Sequence, residues 1–288
     1  MKVGIVDIGS NSVRFAMIAD GKTLYKRLKT TRLGEGLSNT GKLTESAMSR
    51  TVDAVEYFKN FASDEGADKF FAFATAAVRS SENGGDFVKR AKERIGVTVD
   101  VLSGKEEAAA GLLGALRGRD GGIIDVGGAS TEVTLQKGGK TTYAKSIDIG
   151  TVRLFDLAGR DIEKLKKVID KKILEYGEIT TDLPMYAIGG TATTIASVKH
   201  GLKTYDASVV DGTEITFEEA DALARKLLQL SVEEVKKIDG MEPRRADIIG
   251  GGCLLLSGIM KKLGVKSVTV SESDNIEGYY LLKGYGNG

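Results

Sequence analysis

Two periods of apolar and polar residues alternate along this chain. Residues 3–6 form a continuous apolar run that stops at Asp7 and breaks at Gly9-Ser10-Asn11; residues 12–19 then alternate. The two segments read as a buried strand and the returning strand of a hairpin. Residues 22–33 read as a third, more polar strand, and the glycine-rich stretch 34–41 as a loop. From Thr44 the period changes, and Val52, Val55, Phe58 and Phe61 recur at helical spacing. A strand at 70–74, a helix at 86–95 and a strand at 97–102 follow. The next helix opens at Ser103, an N-cap with Glu106 placed to close a capping box.

Arg117-Gly118-Arg119-Asp120-Gly121-Gly122 breaks the composition, and beyond it the opening pattern returns. Asp125-Val126-Gly127-Gly128-Ala129-Ser130 matches Asp7-Ile8-Gly9-Ser10-Asn11-Ser12 as Asp-x-Gly-x-x-Ser at one constant offset. Residues 131–136 and 141–148 supply the second and third strands of this copy. A single internal repeat of this length predicts two similar α/β domains, not a solenoid. We place the first at 1–118, joined by a C-terminal helix at 274–288, and the second at 119–273. The second half adds a helix at 162–176, then a strand at 185–188 running into Gly189-Gly190-Thr191-Ala192-Thr193-Thr194. Helices at 217–230 (Thr216 and Glu219 as capping box) and 244–263, a strand at 267–271 and a helix at 276–283 complete the chain.

Composition narrows the chemistry. One Cys (Cys253) and one His (His200) in 288 residues exclude an intrachain disulfide, a thiolate zinc site and a three-histidine zinc site. Any metal must take oxygen ligands, which favours Mg²⁺, Mn²⁺ or Ca²⁺. His200 precedes Gly201 at what reads as a helix end, which suits a surface histidine better than a triad member. Cys253 sits in an apolar helix and reads as packing. With 41 basic and 40 acidic residues the net charge is +1, giving no reason to expect nucleic acid or a membrane surface as partner. No signal-peptide pattern is present and no run nears the roughly 18–20 apolar residues of a membrane span, so a cytoplasmic protein is expected. Two Pro residues exclude Pro-rich linkers. The oligomeric state stays open, with a homodimer among the options.

Three glycine-rich turns each follow an apolar strand. Glycine lets backbone approach an anion and successive amides form a donor nest, so Gly9, Ser10, Asn11 and Ser12 are phosphate-binding candidates. Gly127, Gly128, Ser130, Thr131, Gly190 and Thr191 join them. The aspartates beside the first two turns, Asp7 and Asp125, would repel a phosphate unless a cation lay between. Asp-x-Gly alone is ordinary hairpin chemistry; two matched copies with a third turn point to function. No Walker lysine follows these turns and no Gly-x-Gly-x-x-Gly opens a helix, which disfavours P-loop and dinucleotide folds.

The repeated hairpin resembles that of the actin, hexokinase and Hsp70 superfamily. Within it the chain resembles the exopolyphosphatase / guanosine pentaphosphate phosphohydrolase (Ppx/GppA) family. The matching segments include Asp7 to Arg14, Arg32-Leu33-Gly34-Glu35-Gly36, Thr75-Ala76-Ala77-Val78-Arg79 and Ser103-Gly104-Lys105-Glu106-Glu107-Ala108. Asp125 to Glu132, Gly150-Thr151-Val152-Arg153-Leu154 and Gly189 to Thr194 follow in the same order. The resemblance implies an α/β fold of two ribonuclease-H-like (actin-like ATPase) domains with an interdomain cleft. It implies a Mg²⁺- or Mn²⁺-dependent hydrolase releasing terminal phosphate from inorganic polyphosphate, or alternatively from guanosine pentaphosphate. It assigns Glu107 as catalytic base, Arg79 to the catalytic site as a phosphate-binding residue, and Asp125 and Glu132 to the metal; Asp7 is the corresponding metal candidate of the first hairpin. Taken singly, Glu107 compensates a helix dipole and Arg79 is a surface cation. The family's third glycine is replaced by Ala129, which puts the geometry of that turn in question. A non-catalytic nucleotide sensor would not need Glu107, and a sugar or acetate kinase would need an acceptor pocket and an aspartate base that the first domain does not offer.

Overall fold

The two hairpins read at Asp7 and Asp125 grow into two sheets with the same strand order. The computed structural model of the chain describes residues 1–285. Strands β1 (Lys2–Ile8), β2 (Ser12–Ala19) and β3 (Lys22–Thr30) form an antiparallel meander, and β4 (Lys69–Ala74) and β5 (Val99–Val101) run parallel to β1. The order is β3-β2-β1-β4-β5. Strands β6 (Gly121–Val126), β7 (Thr131–Lys137) and β8 (Lys140–Ile147) repeat the meander, and β9 (Met185–Ile188) lies parallel to β6. Strand β10 (Glu214–Thr216) pairs antiparallel with β11 (Ser267–Val270), giving β10-β11-β9-β6-β7-β8. The chain is α/β, with the ribonuclease-H-like order present twice.

Both first strands lie mid-sheet and are buried on both faces. So is β2 apart from Arg14 and Ala19, because helices cover both sides of its sheet. On one face Val6, Ile8 and Phe15 meet Val52 and Phe58 of the Glu45–Asp64 helix and Phe87 of the Gly84–Ile95 helix. On the other, Ile276 and Tyr279 of the Asn275–Leu282 helix meet Val3, Ile5 and Phe73, with the Tyr279 and Phe73 rings stacked 4.6 Å apart. The last helix therefore lies on the first sheet; residues 286–288 of the expected 274–288 segment lie outside the described residues. The second sheet holds the largest core, which includes the buried Cys253 of the Ile249–Leu263 helix. Its other face packs Ile123 and Ile188 against Leu112 and Leu116 of the Gly104–Leu116 helix. The Gly104–Leu116 and Asn275–Leu282 helices thus cross between the sheets.

Several elements differ from the sequence reading. Strand β3 stops at Thr30 because Arg32 turns the chain with φ 50°. The 34–41 loop contains a helical turn, Leu37–Thr40. The 244–263 segment is divided: Pro243–Arg245 forms a 3₁₀ turn and the helix starts at Ile249. The 162–176 segment is α-helical over Ile162–Lys172 and 3₁₀ over Ile173–Tyr176. Helices Ala76–Ser80 and Thr151–Ala158 were hidden by their length, too short to show a period. The exposed His200 ends its helix, with Nε2 3.0 Å from Thr213 Oγ1. Among the described residues no helix is long and apolar enough to cross a membrane.

Candidate functional site

The site begins with the two hairpin turns. In each, the first glycine amide bonds the carbonyl of the turn's serine, Gly9 to Ser12 at 3.0 Å and Gly127 to Ser130 at 3.1 Å. Two more carbonyls of each turn are taken from behind. Arg32 N and Thr31 N reach Asn11 O at 2.9 and 3.1 Å, and Gly34 N reaches Ser10 O at 2.8 Å. In the second copy Thr151 N reaches Gly127 O at 2.9 Å and Val152 N reaches Gly128 O at 2.8 Å. This explains the Arg32 to Gly36 and Gly150 to Leu154 segments: they satisfy the acceptors of the turns. The amides of Ser10, Asn11, Gly128 and Ala129 donate to no acceptor among the described residues. The turns face each other, since a Cβ on Gly128 would stand 2.6 Å from Ser10 Cβ. Ala129 is buried and its φ is not positive, so the missing glycine costs the turn no strain.

Between the turns lies a cavity of about 70 Å³ lined by Asp7, Glu107, Asp125, the glycine turns, Gly190 and Arg245. Four candidate residues sit off this lining. Thr131 Oγ1 donates to Ile149 O at 2.5 Å and Thr191 Oγ1 to Val126 O at 2.8 Å, so both hydroxyls are engaged by backbone. Glu132 lies behind the turn, accepting from Ser130 Oγ at 2.7 Å and Ser146 Oγ at 2.5 Å. Arg79 holds Glu107: its Nη1 donates to Leu102 O at 2.7 Å and to the Glu107 carboxylate at 2.8 Å. The one-turn helix Ala76–Ser80 makes this possible by lifting Arg79 off the end of β4.

The repeat is symmetric in backbone and asymmetric in charge. Asp7 pairs across its ladder with Arg14, and Asp125 with Glu132. Arg14 donates to Asp7 and also to Asp274, so the first hairpin is internally neutralised. The second sets two carboxylates directly opposite each other, an arrangement that is destabilising unless compensated. Burial pushes Asp125 up to about 7, with Glu107 and Asp274 adding to the rise. Burial also drives Glu132 well above the ordinary range, reinforced by Glu107 and Asp125. Glu107 is raised by burial against the pull of Arg79, and Asp7 by burial against Arg14. Asp274 is lowered despite burial, because Arg14 and Lys26 outweigh it.

These groups fit a divalent cation that brings part of its own shell. Among the described residues no group of three or more His, Cys, Asp or Glu side chains converges as a complete metal site. Burial favours the protonated forms of Asp125 and Glu132, a bias that a cation would remove, and Asp7 Oδ1 is buried with no partner. A cation here would complete its coordination with phosphate oxygens and water, as Mg²⁺ commonly does.

Two functional features escaped the sequence reading. Arg245 is 8% exposed, and its guanidinium has no hydrogen-bond acceptor among the described residues. It lies against Gly190, where a Cβ would stand 2.1 Å from Nη2. Burial, with Arg14 nearby, lowers it to about 10, so it stays cationic at neutral pH. Beside it the Gly189–Lys199 helix starts with no side-chain cap, which leaves its first amides available to an anion. The only signal was the pair Arg244-Arg245, masked by the continuous-helix reading. The second feature is a chamber of about 430 Å³ adjoining the cavity, which shares Arg14, Gly189, Gly190 and Arg245 with it. Leu28, Leu202, Met241 and Tyr205 line its far wall, and Tyr205 donates to Glu272.

A model of the Ppx/GppA phosphatase family matches residues 15–281. The chain is 25% identical over 313 residues to Exopolyphosphatase 2 of Mycobacterium tuberculosis, covering 97% of this chain and 98% of that protein. It is 27% identical over 305 residues to the bifunctional 3-dehydroquinate synthase/phosphatase of Fusobacterium nucleatum, covering 96% of this chain and 46% of that protein. It is 26% identical over 285 residues to the guanosine-5'-triphosphate,3'-diphosphate pyrophosphatase of Photobacterium profundum, covering 92% and 56%. The chain thus spans about half the length of the last two. The crystal structure of an exopolyphosphatase-like protein superposes with a TM-score of 0.89 at 26% identity, covering 99% of both chains.

Proposed function

We propose that this chain, which belongs to the Ppx/GppA phosphatase family, is a Mg²⁺-dependent hydrolase that removes terminal phosphate from inorganic polyphosphate. One observation carries the reading: the unpaired amides of Ser10, Asn11, Gly128 and Ala129 face each other beside a buried carboxylate, Glu107. Such amides stabilise charge on phosphoryl oxygens, since they are fixed before the substrate arrives. Arg245 and the uncapped helix start at Gly189 neutralise the chain's next phosphate. Glu107, oriented by Arg79, accepts the proton of an attacking water. Its raised proton affinity is favourable for a base working near neutral pH. Mg²⁺, held by Asp125 with Glu132 and Asp7 nearby, would supply charge neutralisation at the phosphoryl oxygens. Phosphoryl transfer needs little more than this positioning and charge.

Guanosine pentaphosphate is a second reading favoured by the chamber of about 430 Å³, whose apolar wall and Tyr205 suit a nucleoside. The test is phosphate release with Mg²⁺ from long-chain polyphosphate and guanosine pentaphosphate in parallel, using wild type and Glu107→Gln. Release from polyphosphate that falls by orders of magnitude in the variant supports the hydrolase. No release from either, with nucleotide binding that the variant leaves unchanged, replaces it with a non-catalytic sensor.

A further inference from the structure

We infer that the first turn of the last helix holds the cleft's acidic groups in register, and that Asn275 is the positioning residue for Asp125. This rests on the hydrolase reading above. Asn275 is 3% exposed, and its Nδ2 donates 2.9 Å to Asp125 Oδ2 across 150 residues of sequence. Its neighbour Asp274 accepts from Arg14, which also holds Asp7. Two consecutive residues therefore reach the two repeated aspartates, one on each sheet. The turn that carries them is itself tied down. Asp274 Oδ1 accepts from Ile276 N at 3.0 Å, and Asp274 N donates to Glu277 at 3.0 Å. Glu277 is held in turn by Thr23 Oγ1 at 2.7 Å and Lys26 Nζ at 3.1 Å.

The same turn also fixes the helix that bears Glu107. Cβ atoms built on Gly114 and Gly278 would stand 2.0 Å from Asp274 O and 1.7 Å from Ala110 O, so the two helices touch backbone to backbone. Asp7, Asp125 and Glu107 are thereby referred to one rigid turn. The choice of asparagine follows from charge. Asp125 already faces Glu132, so an acidic neighbour would repel it and a cationic one would cancel the charge a metal needs. An apolar neighbour would leave Oδ2 buried and unpaired. A neutral donor orients the carboxylate and leaves its charge intact, the role outer-shell donors play for ligating groups.

Two substitutions separate donation from packing. Asn275→Leu keeps the bulk and removes the donor; Asn275→Ser loses bulk and keeps a donor. Phosphate release from long-chain polyphosphate with Mg²⁺ is expected to show kcat about 10- to 100-fold lower for Asn275→Leu, KM within about threefold, and Asn275→Ser closer to wild type. Asn275→Leu as active as Asn275→Ser or more so, or a loss confined to KM, overturns the inference. A double-mutant cycle in urea with Asp125→Ala gives a readout independent of turnover. Asn275→Leu is expected to shift the unfolding constant at least fivefold less in the Asp125→Ala background than in wild type; equal shifts overturn the inference. If wild type releases no phosphate, the hydrolase reading falls while the cycle still decides whether Asn275 acts on Asp125.

Discussion

Arg79→Met is the sharpest test of how the cleft tunes its base. Arg79 lies 2.8 Å from the Glu107 carboxylate. Burial raises Glu107, and the Arg79 charge is the largest influence against it. An opposite charge at this range lowers a carboxyl by about 1–3 units. The Arg79 side chain is 26% exposed, so water screens part of its field. Removing the guanidinium is therefore expected to move Glu107 further up. A base must be ionised to take a proton from water. The acid limb of the pH–rate profile moves to higher pH, and activity on the acid side of the wild-type limb falls about tenfold for each pH unit that the limb moves. Above both limbs kcat recovers, and any phosphate contact made by Arg79 remains as a pH-independent rise in KM. The assay is initial phosphate release between pH 5 and pH 9.5. An acid limb that stays where it is in wild type, with kcat lowered equally at every pH, refutes the pairing as the means of tuning.

Three further outcomes follow from the same geometry. Glu107→Gln is expected to lower phosphate release by about 10²- to 10⁴-fold with no loss of thermal stability, since it removes a buried charge; circular dichroism melting checks the second half. Asp125→Asn removes a carboxyl whose folded value of about 7 lies above its ordinary 3.8. Wild type thus loses stability as pH rises between these values and has lost it fully above 7, up to about 4 kcal/mol for some three units. The variant is expected to be the more stable protein in urea at pH 8 without metal, and equal to wild type near pH 4; no pH dependence of the difference refutes this. Arg245→Ala removes a buried cation without a protein partner, so its unfolding midpoint is expected to stay or rise. Its KM for polyphosphate is expected to rise about 10- to 100-fold, as for loss of charged hydrogen bonds worth about 1.5–3 kcal/mol.

The sequence made the strands and turns legible because local rules govern them. Apolar runs that stop at Asp-x-Gly mark a buried strand and its turn, and both hairpins stand where the repeat put them. Capping boxes at Ser103 and Thr216 were equally local, and both are present. What stayed hidden depends on distance in the chain. Arg245 shows its role only when residues 243–249 break into a 3₁₀ turn and a helix, which aims its side chain at Gly190. Asn275 meets Asp125 only after the last helix has returned to the space between the sheets. Thr131 counted among the phosphate candidates because it closes the second glycine turn. A strand's side chains alternate between faces, and Thr131 turns away to Ile149 O.

The asymmetry between the two repeats explains why one protein needs both. Each hairpin offers an aspartate, a glycine turn with unpaired amides and a residue seven positions on that faces the aspartate across the ladder. Where that residue is Arg14, the aspartate is neutralised and becomes a strut, tying the first sheet to Asp274. Where it is Glu132, the same backbone gives a carboxyl pair that is costly to ionise when buried and bare, a cost that an entering cation would lower. A cleft built from two copies of the first kind would bind phosphate through amides and Arg14 with no call for a metal. Two copies of the second kind would place four carboxylates around an anionic substrate and repel it. One copy of each would put fixed amides on both sides of a phosphate and leave the carboxyl pair, where a metal would bind, on one side only. Glu107, held by Arg79 at 2.8 Å and near enough to Asp125 and Glu132 to raise both, would meet the attacking water in the same cleft.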